Sequence, residues 1–209
     1  IIVEPGAAVH YVEGCSAPVY RNSSLHCAVA EIIVKEGADV TYSTIQNWST
    51  NVYNLVTKRA IVEKEGKMQW IDGNFGSAVT MKYPSIILKG QKAKGEVISV
   101  SVANKNQIQD SGAKIIHCAP KTTSNVLARC ICKNGGIASY RGAVKVNSGA
   151  VKSRSKISCN AMILDNKSRS NTYPAINTLG VLANIEHEAS MTKIDEDKNY
   201  DLTYYNTED

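Results

Sequence analysis

The chain has 209 residues, of which 43% are hydrophobic and 21% charged, a composition typical of a globular protein. Its net charge of +5 is spread along the sequence without a polybasic run, which argues against nucleic-acid binding. No apolar run approaches the roughly 20 residues of a membrane-spanning helix. The chain opens on Ile1-Ile-Val-Glu4, which is no natural start, so we interpret it as a piece of a longer protein.

Glycine-centred turns recur along the chain. They fall at residues 4–9, 35–40, 63–68 and 111–115, and an alternating run such as 39–45 follows each turn. The period of roughly 20–30 residues is that of a solenoid, whose coils bury a core only by stacking. Signals for two-residue hairpins are sparse, and Asp72-Gly73 is the clearest, so a β-helix fits better than a sandwich or a propeller.

Two segments depart from the alternating pattern. Residues 48–60 are compatible with a helix, but their β-branched and Asn content favours a strand–loop–strand at least equally. Residues 195–209 are acidic and Tyr-rich, which is typical of a surface tail or of the start of a truncated helical domain. We therefore expect an all-β core over residues 1–194.

Cysteine is the residue type with the most chemical potential here. The six cysteines lie at positions 15, 27, 118, 130, 132 and 159. A chain of this size does not need disulfides to fold, so we expect reduced thiols in an intracellular protein. Cys15 lies between Gly14 and Pro18 in a predicted turn that reagents can reach. For Cys27, Cys118 and the Cys130-Ile-Cys132 pair we favour a packing role.

Cys159 and the segment Glu186-His187-Glu188 together offer thiolate, imidazole and carboxylate, the ligand types that suit iron and zinc. Alternation places Cys159 on one strand face with Ile157 and Ala161, which is equally the pattern of a buried core thiol. His187 and the two glutamates face opposite ways if the segment is extended. The 29-residue spacing from Cys159 to Glu188 is about one coil, so we expect the two to stack.

Gln46, Trp48 and Lys64 form the other polar cluster. They are predicted to line a polar interior or a groove, although an Asn/Gln ladder that closes the turns of a β-helix explains Gln46 and its neighbours equally well.

Six segments carry a resemblance to a known family. They are residues 11–18 (YVEGCSAP), 44–55 (TIQNWSTNVYNL), 112–117 (GAKIIH), 139–142 (SYRG), 167–174 (KSRSNTYP) and 186–190 (EHEAS). In this order, and over residues 1 to about 195, the sequence resembles the SufB/SufD family of the SUF iron–sulfur cluster assembly system. It looks like the SufB branch rather than SufD, because Cys15 and Cys159 both stand in SufB-like contexts.

The resemblance implies a right-handed parallel β-helix and a role for several residues. Cys159 matches the ligand of the assembly site at the SufB–SufD interface, with Glu188, and also His187, as its partner. Cys15 matches the acceptor of persulfide sulfur. A proposed sulfur path through the interior includes the residues that match Gln46, Trp48 and Lys64, the last on an ungapped count from Cys15.

The resemblance also implies the surroundings of the protein. These are a SufD-like paralogue or a second SufB, the ABC-type ATPase SufC, and a SufE- or SufU-type sulfur donor, in the cytoplasm or an organelle stroma. The cluster, expected to be [4Fe-4S], is transient, and reduced flavin is associated with the full complex. We expect a scaffold rather than an enzyme, with no membrane or nucleic-acid partner. A β-helix carbohydrate lyase or hydrolase, or a purely structural solenoid, is the alternative.

Overall fold

The computed structural model describes residues 1–16, 22–180 and 182–194, and every described element is a β-strand. The strands are β1 (Ile2–Val3), β2 (Ala8–Ser16), β3 (Ser24–Val34), β4 (Asp39–Trp48), β5 (Val52–Val62), β6 (Lys67–Gly76), β7 (Val79–Lys82), β8 (Ser85–Leu88), β9 (Lys94–Ala103), β10 (Ile108–His117), β11 (Thr123–Cys132), β12 (Ile137–Val146), β13 (Arg154–Ile163), β14 (Arg169–Thr178) and β15 (Asn184–Lys193). Nothing in this part of the chain forms a helix that could span a membrane.

Successive strands alternate between two parallel sheets, except that β7 and β8 both lie in the first sheet. One sheet has the order β1-β3-β5-β7-β10-β12-β14, with β8 beside β5 and β10, and the other has the order β15-β13-β11-β9-β6-β4-β2. A strand therefore pairs in parallel with the strand one coil later, as β4 does with β6 and β11 with β13. The prediction of an all-β parallel β-helix is confirmed, with about six turns of solenoid.

Left-handed backbone conformations stack at the corner that leads into the second sheet. Gly6 and Gly37 have φ angles of 71° and 67° there, and each donates its N–H to a carbonyl in the next coil. In the following coils Glu65, Lys92 and Lys121 adopt the same conformation with φ near 58°. The corner tolerates side chains because they point into solvent, so glycine marks only the first two of these stacked turns.

The strand assignments decide several local predictions of secondary structure. Residues 48–60 form a strand, a turn and a strand rather than a helix. The predicted turn at residues 111–115 is wrong because this segment lies inside β10, and Asp72-Gly73 lies inside β6 instead of closing a hairpin. The predicted tail at residues 195–209 lies outside the described residues.

The space between the two sheets is divided lengthwise. Its larger part is an apolar cluster that includes Val34, Val62, Trp70, Leu88 and Val126. Beside this cluster runs a band of buried polar and small side chains, and these come from the later inward-facing positions of strands in the second sheet and the earlier ones of strands in the first sheet, such as β5 and β7. This polar band holds the candidate site.

Candidate functional site

Two rows of inward-facing residues form one wall of the polar band. Strand register aligns them coil after coil along the second sheet. The Cys15 row consists of Cys15, Gln46, Asn74, Ser101, Cys130 and Ala161, and the Cys159 row consists of Glu13, Thr44, Asp72, Ser99, Ala128 and Cys159. Neighbouring members of a row are one strand spacing apart, about 4.8 Å. The fold thus connects the two cysteines singled out by sequence through a continuous line of polar or small side chains.

Charged side chains occupy the first half of the band. The ammonium groups of Lys58 and Lys82 lie 2.7 and 2.8 Å from the same carboxylate oxygen of Asp72, and all three side chains are at most 2% exposed. Burial lowers the pKa of Lys58 to about 8 in spite of the attraction of Asp72. Burial also opposes ionisation of Asp72, but the two lysines outweigh it and hold its pKa below the usual value. The three buried charges carry an excess of one positive charge.

Gln46 connects this triad to the first coil. Its side-chain oxygen accepts hydrogen bonds from Asn54 at 3.0 Å and from Lys82 at 3.3 Å. Asn54 in turn bonds a ring nitrogen of His26 at 2.8 Å, and the His26 ring lies 4.5 Å from that of Trp48. Gln46 and Trp48 therefore belong to one interior network, which supports the prediction of a polar interior at this position.

Cys15 lies at the open end of the same network. Its thiol donates a hydrogen bond to Glu13 at 3.4 Å, and Glu13 also accepts one from the Tyr42 hydroxyl at 2.8 Å. Burial and the Glu13 carboxylate raise the pKa of Cys15, while Gln46 and Lys82 act in the opposite direction. Cys15 is half-buried on an inward position of β2 rather than exposed in a turn, so the predicted turn is wrong.

The second half of the band is built from small side chains and thiols. Cys159 and Cys130 line one cavity of about 20 Å³, room for roughly one water-sized guest. The other lining residues are mostly serines and alanines, together with Tyr140 and Thr172. Cys159 is 5% exposed and faces inward with Ile157 and Ile163, as predicted. Burial and the neighbouring Cys130 raise the pKa of Cys159 to about 12.

His187 and Glu188 lie on opposite faces of β15, the strand next to the one that carries Cys159. His187 faces inward on β15, where its Nε2 lies 3.9 Å from the Cys159 sulfur. Glu188 pairs with Ser158 across the strands and is exposed on the outer face. The expectation that Cys159 and Glu188 converge from adjacent coils is therefore not met in this arrangement. One coil here spans 30 residues, so a spacing of 29 reverses the face.

Lys64 is not part of the interior. It lies on a turn with about half of its side chain exposed, and its ammonium pairs with Glu36 at 2.6 Å. Lys64 lies in the turn between β5 and β6, so the ungapped count from Cys15 reaches a corner residue instead of an inward one. Lys58 and Lys82 are the lysines that the structure brings to Gln46 and Asp72.

Sequence reasoning missed the two interior lysines, Asp72 and Cys130 as site residues. A signal was present, since Lys58 and Lys82 stand at positions that alternation assigns to the buried face of β5 and β7. The packing role predicted for Cys132 is supported by its burial among Ala103, Ala138 and Ile163. The core-filling interpretation of Cys27 is wrong because that thiol is exposed.

Chemically, Cys159 in the cavity and His187 beside it offer soft and borderline ligands. Cys159 and His187 supply a thiolate and an imidazole, a combination that suits iron. Within the described residues no three His, Cys, Asp or Glu side chains converge closely enough to hold a metal ion by themselves. Cys130 differs from Cys159, because hydrogen bonds from Cys132 and Ser170 lower its pKa to about 7. Fold and site together define a β-solenoid that holds thiols in its interior polar band. We call this band, with its two inner rows, the lane.

Comparison with known proteins identifies this class. Residues 1–203 match the family described as SUF system FeS cluster assembly, SufBD core domain, and the chain belongs to that family. An iron–sulfur cluster assembly SufBD family protein of Mycobacterium leprae (strain TN) is 54% identical over 198 residues, which are 95% of this chain and 23% of that protein. One of Staphylococcus aureus (strain USA300) is 52% identical over 198 residues, 43% of its length. The chain thus spans less than half of each relative.

Proposed function

We propose that this chain is the core of a SufB-type scaffold that receives sulfane sulfur at Cys15 and builds an iron–sulfur cluster at Cys159. The observation that carries the proposal is the pair of inner rows, which join the two cysteines through polar and small side chains inside an otherwise apolar solenoid. Buried polar groups are costly to desolvate, and the family relationship supplies a use for such a lane. The scaffold holds and releases its cargo and carries out no turnover chemistry.

The charged half of the lane suits an anionic form of sulfur. A persulfide on Cys15 is in reach of the Gln46 amide, and Lys82 stabilises negative charge at that sulfur. Further along, Lys58 and Lys82 share only one carboxylate, that of Asp72. The Glu13 carboxylate attracts Lys58 from the same row and offsets part of this positive charge, and the two ammonium groups favour hydrosulfide or persulfide over a cation beside them. A SufE- or SufU-type protein is the proposed donor.

At the other end Cys159 and His187 give two ligands from one chain. Their separation of 3.9 Å is that of two groups able to bind the same iron. Two ligands cannot hold a cluster tightly, so the remaining ligands come from a SufD-like paralogue or a second SufB, and the cluster stays transferable. We propose His187 rather than Glu188 as the partner of Cys159, since Glu188 lies on the outer face. The SufC ATPase and reduced flavin act on the full complex.

Anaerobic reconstitution with ferrous iron and sulfide tests the proposal. The wild-type chain, with a SufD-like partner present, is expected to develop a cluster chromophore with visible absorption. Cys159→Ser should abolish it and His187→Ala should reduce it, whereas Glu188→Gln and the thiol control Cys118→Ser should leave it unchanged. A chromophore of full intensity in Cys159→Ser would overturn the assignment of the site.

A further inference from the structure

Cys130 occupies a position in the lane that its sequence context does not reveal. It is the next thiol after Cys15 along the Cys15 row, with Gln46, Asn74 and Ser101 between them. Four strand spacings separate the two cysteines, roughly 19 Å. Beyond Cys130 the row continues with Ala161 and the exposed Met191, neither of which carries a thiol. Cys130 is therefore the last thiol in the row.

Cys130 also shares the cavity of Cys159. The two lie on adjacent strands of the same sheet, on inward positions that are offset by two residues, and both line the space of about 20 Å³. Cys130 is half-buried, whereas Cys159 is 5% exposed. Sulfur that moves along the Cys15 row meets Cys130 before it meets Cys159.

A hydroxyl and a second thiol lie near the Cys130 sulfur. The Ser170 hydroxyl lies 3.6 Å away on β14, and the Cys132 thiol forms a second contact. Cys132 itself is fully buried in an apolar cluster and does not line the cavity. With Ser170 as the donor, this contact stabilises a thiolate or a terminal persulfide anion on Cys130. Of the two thiols on β11, Cys130 is the one that lines the cavity.

We propose that Cys130 is a relay thiol that accepts sulfane sulfur in the interior and passes it to Cys159. The proposal rests on the proposed function, because it assigns an intermediate to the sulfur path within it. In the first step the Cys130 thiolate attacks the sulfane sulfur of an incoming hydropersulfide or polysulfide. A bond forms between that sulfur and Cys130, the adjacent S–S bond breaks, and the shortened sulfide leaves with the electron pair.

In the second step Cys159 attacks the outer sulfur of the Cys130 persulfide. The new S–S bond forms on Cys159 as the Cys159 proton passes to solvent, and Cys130 departs as a thiolate. The sulfane sulfur keeps its oxidation state throughout, so no oxidant or reductant is consumed. The relay explains how a deeply buried cysteine is loaded without opening the solenoid.

The relay is tested by time-resolved loading of the full chain with inorganic polysulfide under anaerobic conditions. Samples are quenched with an alkylating agent, digested with trypsin and analysed by mass spectrometry. The peptide of residues 157–167 reports on Cys159, and fragmentation of the peptide of residues 130–133 separates Cys130 from Cys132. Persulfide should appear on Cys130 first and should accumulate there in Cys159→Ser.

Substitution of Cys130 gives the second readout. In Cys130→Ser, persulfide formation on Cys159 should be about tenfold slower, since the positioned donor is lost, while Cys118→Ser should load like the wild type. If Cys130→Ser proves unfolded by circular dichroism, the order of loading in the wild type and in Cys159→Ser decides the question. Loading of Cys159 before Cys130, or at an unchanged rate in a folded Cys130→Ser chain, overturns the relay.

Different experimental results would reject the relay and the proposed function. Reconstitution from ferrous iron and sulfide supplies no sulfane sulfur, so Cys130→Ser should form the same chromophore as the wild type. Loss of that chromophore would make Cys130 a cluster ligand and overturn the relay. Absence of any chromophore in the wild type, together with slow loading of Cys130→Ser, would instead reject the scaffold and leave the relay intact.

Discussion

The two halves of the interior lane have the same strand register but different contents: the first is filled with charged side chains, and the second has small side chains around a cavity. In the first half Lys58, Asp72 and Lys82 fill the space between the sheets, and both lysines form short ion pairs with one Asp72 oxygen while the other is buried without a hydrogen bond among the described residues. In the second half, around Ser99 and Cys159, the same rows carry small side chains and leave a cavity. Register fixes which residues face inward, but the side chains decide whether the lane provides charge or space.

Asp72→Asn should have the largest effect on this contrast. The change leaves Lys58 and Lys82 buried with no counter-charge, which is expected to lower the free energy of unfolding by about 3–5 kcal/mol. Ser99→Ala is the matched control, because Ser99 is the neighbour of Asp72 in the next coil, and it should cost less than about 1 kcal/mol. Urea unfolding measures both. Equal losses would mean that the first half is no more charge-dependent than the second.

Acidification should destabilise the solenoid through His117, which lies at the end of β10 and outside the two inner rows. This imidazole is fully buried, it bonds Thr122 and Ser124 at 2.8 and 3.0 Å, and burial lowers its pKa to about 4 from 6.5. The unfolded chain therefore binds a proton between pH 6.5 and 4 that the folded chain does not. Stability due to this group should fall by about 3 kcal/mol as the pH drops through that window.

Comparison of variants isolates the contribution of His117. His117→Gln should flatten the pH dependence of unfolding between pH 6.5 and 4, whereas the exposed His10→Gln should retain the wild-type slope. An unchanged slope in a folded His117→Gln chain would show that other groups are responsible.

Filling the lane at Ser101 should affect loading more than stability. Ser101→Leu places a bulky side chain on the Cys15 row immediately before Cys130, at a cost of about 1–3 kcal/mol for overpacking. Polysulfide loading of Cys159 should slow markedly. Val100→Leu, on the same strand but facing outward, should change neither quantity. Unimpaired loading in Ser101→Leu would place the sulfur path elsewhere.

Lys58→Met should have the smallest effect on stability at pH 7. Asp72 keeps Lys82 as a partner, and removing one of two buried ammonium groups relieves a desolvation cost, so we expect a change within about 1 kcal/mol. Burial lowers the pKa of Lys58 to about 8 from 10.5. Between pH 8 and pH 10.5 the unfolded chain therefore binds one proton more than the folded chain. Wild-type stability should therefore rise relative to the variant across that window. A parallel pH dependence would contradict the lowered pKa.

Much of the fold and part of the site could be predicted from the residues. Alternation and recurring turns predicted a β-helix, and they placed Cys159 on an inward face with Ile157. The predicted convergence of Cys159 with Glu188 is wrong, because the length of a coil must be known to within one residue. Spacings of 29 and 30 residues place a side chain on opposite faces of the strand. The interior position predicted for Lys64 is wrong because this residue lies in the turn between β5 and β6, at a corner of the coil.

By itself, the sequence determined which residues alternate, which are thiols, and the family to which the chain belongs, because these are properties of local order along the chain. Only the tertiary structure decided that Lys58 and Lys82 share Asp72, that His187 rather than Glu188 reaches Cys159, and that Cys130 lines the same cavity as Cys159. Such contacts depend on the stacking register of coils about 30 residues apart, and that register is set by the packing of the whole solenoid.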